Sequence, residues 1–187
     1  TEILLIRLSK SKIMTSLQCH KRVHLEVRRP ELIRYSKATE MAFAIGHQVG
    51  ELARQLYGGA ESHFVPFEGG LDAALQRTAE LIHGSARAPV FEATLEHEGV
   101  LVREDVLLPA QHGWRVVEVK ASSKIKPEHV QDCAIQAWVH QGAGLDLEQF
   151  SLAHLDTQWT YPGAGDYRGA LVEHDLTAEV QGMRNSV

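Results

Sequence analysis

The sequence has no apolar run that approaches the roughly 20 residues a helix needs to cross a membrane. Its first apolar patch, residues 3–6, is too short for the core of a signal peptide, and no small-residue cleavage site follows it. The two cysteines, Cys19 and Cys133, are too few for the disulfide framework of a secreted domain. We therefore expect a cytoplasmic protein with no membrane partner.

The sequence also lacks internal repeats, low-complexity tracts and linkers that would divide it. Its 187 residues, 44% hydrophobic and 23% charged, are enough for one domain with a substantial core. We predict a single domain over residues 1–187, in which residues 1–84 are mainly helical and residues 88–176 form a sheet core. The same residues are compatible with one part of a longer protein.

Positive charge is concentrated at the start of the chain. Residues 1–37 hold nine basic and three acidic side chains, whereas the rest of the chain holds 10 basic and 21 acidic ones. A basic segment can follow a phosphate backbone, and four of its side chains are candidates for DNA binding: Lys10, Lys12, Lys21 and Arg22. The alternative is that these charges form the solvated face of a helix.

The apolar periodicity predicts helices first and a sheet afterwards. The expected helices run from a cap at Ser9 or Ser11 to Arg29, then over 37–57 and 71–83. The elements expected next are strands over 90–95, 100–108 and 114–121, a helix over 127–140, a strand over 150–155 and an edge strand over 169–174. This order predicts an α/β domain with a mixed sheet.

Two of these strands bring ionisable residues together. Residues 109–113 carry turn signals, so the strands that flank them are expected to form a β-hairpin. If the turn centres on Gln111 and His112, Asp105 lies directly opposite Glu118, and opposed side chains share one face of the sheet. The two-residue strand period places Lys120 on that face as well.

Two carboxylates and a lysine in one place favour a divalent-cation phosphodiesterase. Carboxylate oxygens suit magnesium or manganese, and Lys120 would hold the attacking water or stabilise developing charge. The structural alternatives are that Asp105 faces solvent or pairs with Arg103 or Arg115, and that Lys120 forms a salt bridge. Glu118 interrupts an apolar strand, and acids are rarely buried without a partner or a metal.

Other candidates lie on the predicted helices and in one loop. His47 stands mid-helix between Gly46 and Gly50, and these glycines cost helix stability unless another element packs closely there. Gln136 lies one turn after Asp132 on the helix that follows the sheet. The loop after Lys120 carries two lysines that are placed for phosphate contacts or, alternatively, are only solvated: Lys124 and Lys126.

In this order the residues resemble the PD-(D/E)XK nuclease superfamily, in particular its RecB-like branch, which includes the CRISPR-associated exonucleases. The likeness spans about residues 8–176, and it is nearest to an uncharacterised bacterial group in which the domain opens a longer protein. The resemblance implies a restriction-endonuclease-like α/β fold, with a mixed central sheet flanked by helices and an N-terminal helical segment. The matching segments are residues 8–11, 17–22, 46–47, 105, 118–120 and 132–136.

The resemblance also implies roles for single residues. His47, Asp105, Glu118 and the backbone carbonyl of Val119 would bind Mg²⁺ or Mn²⁺, and Lys120 would assist the nucleophilic water. Gln136 would correspond to the glutamine of a Gln-x-x-x-Tyr element that contacts DNA. This chain has His140 in place of the tyrosine.

Cys19 matches a cysteine that holds a [4Fe–4S] cluster in many relatives. Such a cluster needs four thiolates, and here only Cys133 remains, within the segment that matches the nuclease helix. The cluster is therefore expected only if a C-terminal segment with further cysteines exists outside this chain. The plain alternative is a small buried residue under the first helix.

These observations predict a metal-dependent deoxyribonuclease, more specifically an exonuclease on single-stranded or frayed DNA. Alanine at Glu118 is expected to abolish cleavage and to spare the fold. The first alternative is a non-catalytic nucleic-acid-binding or docking module, and the second is a sequence-specific endonuclease of restriction type. The sequence predicts no particular protein partner, polarity or sequence specificity.

Overall fold

A computed structural model describes residues 7–84 and 87–183 of the chain. Within these residues seven strands form one mixed sheet in the order β2-β3-β4-β5-β6-β7, with β1 beside β4. The strands are β1 Leu8–Ser9, β2 His63–Phe64, β3 Val90–His97, β4 Val100–Pro109, β5 Trp114–Lys120, β6 Leu147–Leu155 and β7 Leu171–Asp175. The α-helices are α1 Lys10–Gln18, α2 His20–Arg28, α3 Lys37–Tyr57, α4 Leu71–His83, α5 Pro127–Gly142 and α6 Thr177–Gly182, with a 3-10 turn at Pro30–Leu32.

The sheet separates two apolar clusters. The larger cluster includes Val116 of β5 and Cys133 of α5, and the smaller one includes Val117 of β5 and Ala53 of α3. Because successive side chains of a strand point to opposite faces, Val116 and Val117 show that α5 and α3 cover opposite faces of the sheet. The Tyr57 hydroxyl also donates a 2.9 Å hydrogen bond to Glu173 of β7, which ties the end of α3 to the sheet.

This architecture confirms the predicted fold class: an α/β domain with a mixed sheet, flanking helices and an N-terminal helical segment. The bounds predicted for α3 and α4 match those of the structure, and α5 continues two residues further than expected. No helix in the part of the chain that the structure describes is long and apolar enough to cross a membrane.

The first predicted helix is wrong in one respect, since it is two helices. Cys19 has an extended backbone, with φ −163° and ψ 109°, and separates α1 from α2. Neither helix has a fully buried residue, so the apolar pattern of this segment gives no sign of the break. Strands β1 and β2, of two residues each, were also not predicted, because a period of two needs a longer run to be visible.

The hairpin of β4 and β5 has the predicted register and then opens. Its ladder pairs Pro109 with Trp114 and ends at Val106 and Val117, so Asp105 and Glu118 occupy the next position. Beyond this point β5 continues beside β6, while β1 pairs with the far end of β4 at Val100 and Leu101. The two strands therefore part between these contacts, and the opening is framed by β1, β4 and β5.

A change of side-chain direction accompanies the opening. Glu104 and Leu107 of β4 both face α5, although strict alternation would place residues three apart on opposite faces. On the neighbouring strand Glu92 has φ +59°, a left-handed backbone conformation that residues other than glycine rarely adopt. Both irregularities lie at the level of Asp105, which therefore does not share the α5 face with Glu118 as predicted from alternation.

Candidate functional site

Glu118 and Lys120 lie on the face of β5 that α5 covers. The Glu118 side chain is 4% exposed, and Lys120 Nζ lies 2.5 Å from its Oε1 and 2.5 Å from Asp132 Oδ2. Asp132 lies on α5, one turn before Gln136, whose amide donates a 2.7 Å hydrogen bond to Glu118 Oε2. Helix α5 therefore supplies two of the groups that hold Glu118 and Lys120 in place.

A second lysine completes this charge cluster, which consists of Lys10, Glu118, Lys120 and Asp132. Lys10 Nζ lies 3.0 Å from Glu118 Oε1 and 3.1 Å from Asp132 Oδ2. Lys10 was expected on the basic surface, as a DNA contact. The structure instead places it in the opening because β1 pairs with β4, so the first residue of α1 points to β5.

The charge cluster shifts the pKa values of its members in opposite directions. Burial disfavours the charge on Glu118, but Lys10 and Lys120 outweigh it, so the pKa of Glu118 lies well below its usual range. Burial also disfavours the charge on both lysines, but Glu118 and Asp132 raise the pKa of each ammonium group. Burial and the charge of Glu118 raise the pKa of Asp132.

Asp105 lies at the edge of the opening rather than in the charge cluster. Its Oδ2 accepts a 2.7 Å hydrogen bond from the backbone N–H of Val119. Burial and the nearby charge of Glu118 raise the pKa of Asp105 well above its usual range, and Lys10 only partly opposes this. A cation beside Asp105 would favour its ionised form.

The alternative partners proposed for Asp105 are engaged elsewhere. Arg103 pairs with Glu92 at 3.2 Å, and Arg115 pairs with Glu173. Among the described residues, Asp105 forms no salt bridge within 4.0 Å. The alternative proposed for Lys120, a salt bridge to Glu118, does occur.

His47 and Asp105 line one cavity beneath α3, which we name the α3 cavity. This space of about 340 Å³ is also lined by Val119, Gly46 and Gly50. A Cβ atom added at either glycine would meet nothing within 4 Å, so no element packs closely there, contrary to one explanation of these glycines. Their lack of side chains leaves room between His47 and the opening of the hairpin.

Gln136 and His140 do not lie where DNA would reach them. Both side chains are fully buried, and His140 Nδ1 lies 2.9 Å from Oε1 of the equally buried Glu104. Gln136 binds Glu118 and has no exposed surface for the DNA contact that the resemblance implies. The Glu104 and His140 pair was not predicted, although an acid at an apolar strand position is a signal of the same kind as Glu118.

The remaining predicted DNA contacts lie on the surface. Lys21, Lys124 and Lys126 are exposed. Lys12 and Arg22 both bind Glu26, at 2.6 and 2.8 Å, which couples α1 to α2. Cys19 is exposed at the break between these helices and is not a buried residue, whereas Cys133 is buried.

The donor set fits a hard cation in its chemistry. Asp105 and Glu118 supply carboxylate oxygens, and His47 supplies an imidazole. A residue in a strand directs its N–H and C=O to the same side. Because the N–H of Val119 donates to Asp105 of β4, the carbonyl of Val119 also points towards β4. Within residues 7–84 and 87–183, however, no three His, Cys, Asp or Glu side chains are already gathered as a metal site. Lys10 and Lys120 share the Oε1 atom of Glu118 that a cation would approach.

Among solved structures, the chain is similar to the crystal structure of SSO0001, with a TM-score of 0.48 and 13% sequence identity. The similarity covers 94% of this chain and 72% of that chain. A likeness of this strength supports no inference about function. No family model matches the chain, and no curated protein matches it.

Proposed function

We propose that this chain is a divalent-cation-dependent deoxyribonuclease that hydrolyses the phosphodiester bonds of single-stranded or frayed DNA, as an exonuclease. The observation that carries the proposal is the opening of the β4 and β5 hairpin. Asp105 and Glu118 occupy the first position beyond its ladder, Asp105 lines a cavity together with His47, and Lys120 contacts Glu118. The resemblance of these residues to the PD-(D/E)XK superfamily agrees with this chemistry.

Asp105, Glu118, His47 and the Val119 carbonyl would hold Mg²⁺ or Mn²⁺ in this proposal. The cation supplies positive charge that offsets the charge of the scissile phosphate and of the attacking oxygen. A cation would favour the ionised form of Asp105, which burial and the charge of Glu118 disfavour. Gln136 and Lys10 fix the orientation of Glu118.

Lys120 acts as a hydrogen-bond donor in this proposal. Its raised pKa keeps the ammonium group protonated at neutral pH, so it orients the attacking water and stabilises negative charge on the phosphoryl oxygens. Asp132 also holds the ammonium group, since its Oδ2 atom lies 2.5 Å from Nζ.

One observation favours the alternative of a non-catalytic nucleic-acid-binding or docking module. The charge cluster contains two ammonium groups and two carboxylates, so its charges are balanced without a cation. A cluster of this kind can serve structure alone. A measurement of cation binding at Asp105 therefore distinguishes the nuclease from the binding module.

The test is the dependence of the melting temperature on Mn²⁺ and Mg²⁺, in wild type and in Asp105→Asn. A ligand at 100 times its Kd adds about 2.7 kcal/mol, which raises the melting temperature of a protein of this size by about 5–10 °C. We expect this rise in wild type and in the exposed control Asp72→Asn, and its loss in Asp105→Asn. Equal shifts in all three proteins, or none in wild type, would reject the cation site.

A further inference from the structure

A second and larger cavity lies between α2, the 3-10 turn and α3, and we name it the α2–α3 cavity. It has a volume of about 640 Å³ and is lined in part by Leu25, Leu32 and Phe43. Leu32 and Phe43 remain 52% and 50% exposed. An apolar surface of this kind in a folded domain indicates a binding site.

The charge of the α2–α3 cavity selects the kind of ligand. Among the described residues, four cationic side chains and one carboxylate, Glu26, line it. Arg22 pairs with Glu26, and Arg29 pairs with Glu31 outside the lining. The cores of protein–protein interfaces are depleted in charge, so the excess of cations favours a polyanion over a protein segment. The four cations are Lys21, Arg22, Arg29 and Arg34.

Two aromatic rings stand among these cations. Tyr35 and Phe43 pack edge to face, with ring centroids 5.2 Å apart and an interplanar angle of 82°. Tyr35 is 55% exposed, so both rings have free surface on which a planar group can stack. Cationic side chains interleaved with exposed aromatic rings are the usual platform for single-stranded nucleic acid.

The α2–α3 cavity and the α3 cavity meet at Phe43. Phe43 lines both the α2–α3 cavity and the α3 cavity, and the latter is lined by His47 and Asp105. A ligand in the first cavity that passes over Phe43 therefore enters the second beside Asp105. The route joins a polyanion-binding surface to the place where a phosphodiester would be cleaved.

We infer that the α2–α3 cavity binds the unpaired DNA strand next to the scissile phosphate. Arg29 and Arg34 contact phosphates, and Tyr35 and Phe43 stack with bases. Bases reach the faces of these rings only when they are unpaired, so the site selects single-stranded over double-stranded DNA. The position of this strand next to a scissile phosphate rests on the proposed nuclease function. Binding of the strand in the cavity needs neither the cation nor cleavage.

The test is fluorescence anisotropy with a labelled oligothymidine and a duplex of equal length, in EDTA so that no cleavage occurs. We expect wild type to prefer the single strand. Tyr35→Ala and Phe43→Ala should each weaken single-strand binding by about fivefold or more, because stacking contributes at least about 1 kcal/mol per base. Tyr35→Phe keeps the ring and should bind as wild type does.

The arginines have a matched control. Arg29→Ala should weaken binding and lower the salt dependence of the affinity by about one phosphate contact. Arg77 on α4 is similarly exposed and also pairs with a nearby glutamate, so Arg77→Ala controls for the loss of one surface charge. Unchanged binding in Tyr35→Ala and Phe43→Ala, or duplex binding as tight as single-strand binding, would overturn the inference.

The failure of this inference and that of the nuclease are distinguishable. Cleavage by wild type together with unaltered binding in the cavity variants would reject the cavity as the DNA-binding site and support the nuclease proposal. Binding of single strands that depends on the two rings, without any cleavage, would support the cavity as a DNA-binding site and favour the non-catalytic binding module.

Discussion

Glu118→Ala is expected to lower the free energy of unfolding by about 3–5 kcal/mol, since removing one partner from a buried ionic network leaves uncompensated charge. Lys10 and Lys120 would then share Asp132 alone. The sequence predicts that alanine at Glu118 spares the fold; the burial of Glu118 between two lysines changes this expectation. Urea denaturation measures the loss, and the exposed Glu128→Ala should lose less than about 1 kcal/mol.

A double variant tests the cause of this loss. Lys10→Met in the Glu118→Ala background restores equal numbers of positive and negative charges in the cluster. We expect the double variant to be more stable than the sum of the two single effects predicts, with a coupling of about 1–3 kcal/mol. Additive effects, or a Glu118→Ala protein as stable as wild type, would contradict the charge cluster as described.

Lys120→Met is expected to lower the rate of DNA cleavage by at least about 10²–10³-fold, which is the cost of removing one donor to the developing charge. Lys120→Met also removes one partner from the charge cluster, so we expect a loss of stability similar to that of Glu118→Ala, and rates are compared on protein shown to be folded. Initial rates on end-labelled single-stranded DNA with Mn²⁺ measure the effect. Arg77→Met removes an exposed cation on α4, away from the predicted DNA contacts, and should change the rate little.

A Lys120→Met protein that cleaves within about threefold of the wild-type rate would contradict the role given to Lys120. Loss of cleavage in Arg77→Met as well would assign the effect to the loss of a positive charge in general rather than to the chemistry. Measuring the affinity for the oligonucleotide in EDTA separates these two causes.

Local patterns predicted most of the elements that position the site. The register of β4 and β5 follows from the turn at residues 109–113, and the bounds of α3 and α4 follow from apolar periodicity and closing glycines. These features depend on neighbouring residues, which the sequence displays directly. The roles proposed for Asp105, Glu118 and Lys120 remain predictions.

The features that the sequence did not predict depend on distant contacts. Lys10 enters the charge cluster only because the two-residue strand β1 pairs with β4, more than 90 residues later in the chain. Asp105 leaves the α5 face because of an irregularity opposite Glu92, a residue type that gives no sign of a left-handed backbone. The burial of Gln136 likewise depends on how α5 packs on the sheet.

The most direct test of the account is cleavage of end-labelled single- and double-stranded DNA and of closed circular DNA, with Mn²⁺, Mg²⁺ or EDTA. Wild type should be compared with Glu118→Gln, which keeps the shape of the side chain and removes its charge. We predict cation-dependent loss of linear single strands by wild type, none in EDTA, little on closed circles and none by Glu118→Gln. A folded wild-type protein that binds DNA and leaves every substrate intact, or a Glu118→Gln protein that cuts at the wild-type rate, would contradict the proposed nuclease.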